Sequence, residues 1–74
     1  MLAIKDVPVY IASDPIDFRQ SLDSLCITIA TAWQQDPHKG LYVFYNKHRN
    51  KVKILFWQLN GLVLTYKRLE QGRY

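Results

Sequence analysis

Cysteine is nearly missing from this chain. Cys26 stands alone, so no internal disulfide can form and a secreted, disulfide-stapled scaffold is excluded. Acid is nearly missing from the second half, where Glu70 is the one carboxylate side chain after Asp36. No apolar run approaches the roughly 20 residues that a membrane helix needs, so no membrane span is expected. Met1 to Asp6 lack the charged region and apolar run of a signal peptide, which makes the cytoplasm the expected compartment.

What remains is a short globular chain. It has 74 residues, 49% of them hydrophobic and 22% charged, a balance typical of folded rather than disordered chains. This length allows one small domain, residues 1–74, without a linker. The net charge of +4 is unevenly placed. Residues 1–37 carry Lys5 and Arg19 against five aspartates, a net −3, while residues 38–74 carry eight cations against Glu70, a net +7. A basic half of this kind suits a phosphate-binding surface. A solvated basic edge that keeps a small domain soluble is the plainer reading beside it.

The pattern predicts an α+β fold of order β-α-β-β-β. One amphipathic helix packs on a three- to four-stranded, mainly antiparallel sheet. Val7 to Ala12 is β-rich, and Pro8 puts it at a strand start or on an edge. Asp14-Pro15-Ile16-Asp17 has the form of a helix start, with Asp14 or Asp17 as cap and Pro15 in the first turn. Over residues 18–35, Phe18, Leu22, Leu25, Cys26, Ile29, Ala30 and Trp33 recur at spacings of three and four. Asp36-Pro37 closes the helix.

A three-stranded meander follows, with strands at Leu41 to Tyr45, Val52 to Leu59, and Leu62 to Lys67 or Leu69. Asn60-Gly61 is a strong type I′ hairpin signal. That turn would set Leu59 opposite Leu62, Trp57 opposite Leu64, Leu55 opposite Tyr66 and Lys53 opposite Arg68. If Tyr45 pairs with Val52, Tyr42 and Phe44 join this face, which takes the helix. Leu41, Val43 and Tyr45 join Val52, Ile54, Phe56 and Val63 on the other. One helix cannot cover both faces, so the second is expected to meet the N-terminal strand region or another chain, or to belong to an incomplete fold.

Catalytic chemistry finds little support. His38 and His48 lie in different loops, and no Cys or His spacing resembles a metal site. No nucleophile motif is present. The carboxylates Asp14, Asp17, Asp23, Asp36 and Glu70 could build a two-metal site, but Asp14 and Asp17 already have a capping role and Asp23 an exposed one. No catalytic residue, metal, cofactor or small-molecule substrate is therefore expected. The strongest candidate is the basic hairpin, where Lys47, Arg49, Lys51 and Lys53 stand within eight residues, with Lys67 and Arg68 brought close by the strand pairing. Cations on a loop tip reach phosphates without desolvating a buried charge. Arg19 is a weaker candidate, because pairing with Asp23 at i, i+4 accounts for it.

The ordered short blocks of the chain carry a resemblance. Asp14-Pro-Ile-Asp-Phe-Arg19, Leu22-Asp-Ser-Leu25, Asp36-Pro37, Gly40, Val43-Phe44, Asn46, Lys53-Ile-Leu-Phe-Trp57, Asn60-Gly61 and Tyr66-Lys-Arg-Leu-Glu-Gln-Gly-Arg-Tyr74 resemble the TnpB accessory proteins of the insertion sequence 66 family. These belong to bacterial transposable elements and share only a name with the RNA-guided nuclease. The resemblance implies a non-enzymatic accessory protein of DNA transposition, with DNA and the transposase of the same element as partners. Gln20 and Ser21 depart from the family's basic residue and glycine, and Tyr45, Lys47 and His48 replace a more arginine-rich tip. Family members continue past the motif that ends at Tyr74, so the chain is expected to lack their C-terminal portion. The alternative function is a protein-interaction module that self-associates or binds a partner through Val43, Tyr45, Ile54, Phe56 and Val63, without nucleic acid.

Overall fold

The structure is a computed structural model that describes residues 7–70. Its elements run β1 (Val9–Ile11), α1 (Leu22–Thr31), β2 (Leu41–Tyr45), β3 (Lys51–Gln58) and β4 (Gly61–Arg68). The order β-α-β-β-β is the expected one. The sheet, ordered β1-β2-β3-β4, is mixed rather than antiparallel throughout. β1 pairs with β2 in parallel, Val9 beside Leu41 and Ile11 beside Val43, because α1 carries the chain back across the sheet between them. The pairs β2–β3 and β3–β4 are antiparallel.

Alternation along the strands fixes two faces. Tyr42, Phe44 and Leu55 point to one side, where they pack with Leu25 and Ile29 of α1 in a cluster that also holds Ala12 and Tyr45. Trp33 stacks on Phe44 at 5.2 Å and leans on Tyr42 at 5.8 Å, and Tyr10 stacks on Tyr42 at 5.1 Å. Gly40 permits this aromatic layer. A Cβ there would stand 3.0 Å from the Tyr42 hydroxyl and 3.2 Å from the Tyr10 ring. On the other side Leu41, Val43, Val52 and Phe56 form a second cluster, with Ile54 and Val63 half-buried at its margin.

The helix is shorter than its hydrophobic period predicts. It begins at Leu22, with Ser21 as N-cap accepting from the Ser24 amide at 3.2 Å. Asp17 does not cap it. The Asp17 carboxylate accepts from the Arg19 amide and guanidinium, and its carbonyl accepts from Gln20, forming a separate turn. The amide of Ile16 bonds the Tyr45 carbonyl, so the chain stays tied to the sheet edge until that turn. At the other end the helix stops at Thr31, before Asp36-Pro37. Gln34 takes a left-handed φ of 53°, and the Gln35 amide reaches back to the Ile29 carbonyl.

The β3–β4 turn is also displaced. Leu59 and Asn60, with φ of 52° and 62°, are its central residues, flanked by the Gln58–Gly61 pair. Trp57 therefore faces Leu62, Leu55 faces Leu64, Lys53 faces Tyr66 and Lys51 faces Arg68. The shift is two residues, so every side chain keeps its expected face. Tyr45 does pair with Val52, yet it packs with the helix-side cluster rather than with Val43. It is the last residue of β2, where Ile16 joins the strand.

Candidate nucleic-acid interface

The loop between β2 and β3 is built on asparagine. The Asn46 side-chain oxygen accepts from the amides of Asn50 (3.0 Å) and Lys51 (2.9 Å), and its amide nitrogen donates to the Asn50 side-chain oxygen at 2.7 Å. Asparagine does this because its side chain imitates a backbone peptide. Arg49 adopts a left-handed φ of 58°, with its own amide donating to the Asn46 carbonyl. The Arg49 guanidinium lies 5.6 Å from the Tyr45 ring centre. The Leu69 amide donates to the Asn50 carbonyl, which fastens the end of β4 to the loop. The bracing role of Asn46 and Asn50 is not among the sequence expectations, which single out only the cations of this loop. The Asn-x-x-x-Asn spacing between two strands was the available signal.

Five of the predicted cations meet at this end of the sheet. Lys47 and Arg49 are exposed on the loop, Lys51 opens β3, and Lys67 and Arg68 close β4. Lys51 lies directly opposite Arg68, and Val52 opposite Lys67. Like charges placed across a sheet repel, so this arrangement concentrates positive potential. Arg68 is offset by Glu70 at 3.1 Å. Lys47, Arg49, Lys51 and Lys67 form no ion pair among the described residues.

Two predicted cations have other occupations. Lys53 lies on the inner strand β3, where its ammonium donates to the carbonyls of Phe18 (2.6 Å) and Gln20 (3.4 Å) and lies 4.9 Å from the Phe18 ring centre. It holds the segment that leads into α1. Arg19 pairs with Asp17 at 2.6 Å, not with Asp23, because the turn at 17–20 places them side by side before the helix begins. This contact holds the Asp17 carboxyl at about 2, well below its ordinary 3.8. Asp36 is likewise lowered, by the His38 amide and ring. Asp17 and Asp36 thus engage Arg19 and His38, and among the described residues no aspartate forms an ion pair with a hairpin cation.

The residues expected on an apolar partner face are mostly inside the fold. Val43, Tyr45 and Phe56 are buried, and Ile54 and Val63 are half-buried. Cys26 sits part-buried against the helix-side core, and burial pushes its thiol pKa up, which suits a small hydrophobe rather than a nucleophile. No helix among the described residues is long and apolar enough to cross a membrane.

Comparison with known proteins gives this geometry its setting. Residues 7–74 match the family described as IS66 Orf2 like protein. The chain is also 30% identical over 67 residues to y4jC, an uncharacterized protein of Sinorhizobium fredii (strain NBRC 101917 / NGR234). That alignment takes in 89% of this chain but 57% of the relative, so the chain spans little more than half the relative's length. No solved structure matches. With the match running across every element from β1 to β4, the chain belongs to the IS66 Orf2-like family of insertion-sequence accessory proteins.

Proposed function

We propose that the chain assists transposition without catalysis, by gripping DNA phosphates with the hairpin end of its sheet. Lys47, Arg49, Lys51, Lys67 and Arg68 make the contacts. The observation that carries this reading is the pairing of Lys51 with Arg68 beside Lys67, at the end where the loop presents Lys47 and Arg49. A fold gains nothing from facing cations against each other, whereas a polyanion would relieve the repulsion. The asparagine-braced loop is already ordered, so little conformational freedom is lost on contact. Phosphate contacts give position and affinity, not sequence choice.

Fluorescence anisotropy with a labelled duplex tests this. If about four phosphates are neutralised, log K falls against log salt with a slope of about −3.6, roughly a hundredfold between about 50 and 200 mM. Replacing Lys47, Arg49 and Lys51 together by Gln removes most of that slope. Wild-type protein that shows no retention at low salt defeats the proposal. The transposase of the same element is the competing occupant. A triple variant that keeps DNA retention but loses capture of the transposase would reassign the surface to it.

A further inference from the structure

Among the described residues, the strand order leaves the outer sides of β1 and β4 unpaired. β1 is parallel to β2, and β4 reverses twice relative to β2, so the two free edges run in the same direction. Their C-terminal ends therefore lie at the same end of the sheet. β4 ends on Lys67 and on Arg68, which also pairs with Glu70, while β1 leads through Ala12 and a bend at Ser13 to Asp14, which has no ion pair among the described residues.

The faces of the two edges also correspond. β1 borders a cavity of about 370 Å³ lined by Val9, Tyr10, Ile11, Ser13, Trp33 and Gln35. On the helix side β4 presents Tyr66, which is 54% exposed. On the opposite side Val9 and Ile11 are 58% and 57% exposed, and β4 offers Val63 and Thr65. One parallel register keeps the faces aligned. Val9 beside Val63 puts Ile11 beside Thr65 and Ala12 beside Tyr66, and the bend at Ser13 and Asp14 that follows β1 then comes to the end where β4 finishes on Arg68.

We propose that the chain associates with itself head to tail, β4 of one copy adding in parallel to β1 of the next, so that the sheet continues from molecule to molecule. The interface is heterologous and leaves a free β1 and a free β4 at the two ends, so assembly is open-ended rather than closed. β1 has three residues and is preceded by Pro8, which limits the hydrogen bonds on offer. The expected dissociation constant per junction is on the order of 10⁻⁴ M.

Sedimentation equilibrium of the full chain, without DNA, tests the proposal. The weight-average mass should rise with concentration past two chains as the protein reaches roughly 1 mM, ten times that constant. Asp14→Lys and Arg68→Glu should each weaken association about tenfold, because each sets like charges together at every junction. Mixing the two variants should restore it, since every mixed junction again pairs opposite charges. Ile11→Lys, at an exposed position, should weaken association without any rescue by mixing. A constant monomer mass at the highest concentration overturns the proposal. So does a plateau at two chains, or a mixture of folded variants (checked by circular dichroism) that fails to recover. The hairpin substitutions at Lys47, Arg49 and Lys51 lie off both edges, so loss of DNA retention and loss of self-association are separable results.

Discussion

Lys53 stands in a run of cations, yet its ammonium is spent on two backbone carbonyls and the face of Phe18. Lys53→Met keeps the aliphatic stem and removes the donors. Urea denaturation should show a loss of about 1–2 kcal/mol, since charged hydrogen bonds to part-buried carbonyls are being deleted. DNA retention should stay at the wild-type level, which separates Lys53 from its neighbours Lys51 and Arg49. Asp17 makes the complementary case. Its pKa is depressed to about 2 in the folded chain, so whatever its pairing contributes is present above the ordinary carboxylate range and is lost as pH falls through about 2. Carboxyl chemical shifts should place its midpoint near 2, and Arg19→Gln should bring it part of the way back toward 3.8. The return is partial because the Arg19 amide still donates.

At the scale of elements, faces were legible in the sequence and boundaries were not. The spacing of Leu22, Leu25, Cys26 and Ile29 located α1 and its buried side, because a wide apolar stripe has one place to go. The same periodicity extended the helix too far at both ends. Phe18 and Trp33 are apolar at helical spacing, but they pack from irregular chain, Phe18 against Tyr66 and Trp33 against Phe44. The β3–β4 hairpin shows a second limit. A slip of two residues leaves every side chain on its face, so hydrophobic pattern cannot choose between the registers. Turn chemistry had to decide, and Asn-Gly misled, because Asn60 is the second central residue and Gly61 starts the strand. Leu59 consequently sits at φ 52° while 91% exposed, a poor place for it. Leu59→Asn should raise thermal stability by about 0.5 kcal/mol, since asparagine tolerates that conformation. No change, or a loss, would mean that Leu59 has a contact in solution that its exposure hides.

At the scale of the molecule, the charge imbalance in the sequence became a position in space. The cations collect where two strands end and one begins, while Asp17 and Asp36 pair with Arg19 and His38. Which cations would be lost to that surface was not legible, since Lys53 and Arg19 are diverted by the turn before α1. The apolar second face was legible as a pattern, but the pattern left open whether its cover came from the same chain; Leu41, Val43, Val52 and Phe56 are buried, while β1 lies at the sheet edge beside β2. The parallel seating of β1 has a temporal consequence. The meander β2-β3-β4 is joined by short turns, whereas β1 pairs with β2 across the whole intervening helix, so it carries the highest contact order in the sheet. β1 should be the last strand to lock and the first to open. Deuterium uptake should show the Ala12 amide, bonded to Val43, and the Leu41 amide, bonded to Pro8, losing protection together and well before the amide of Leu55. In that opened state a three-stranded core persists with the detached strand trailing from it, a half-undone clasp at one side of an otherwise closed molecule.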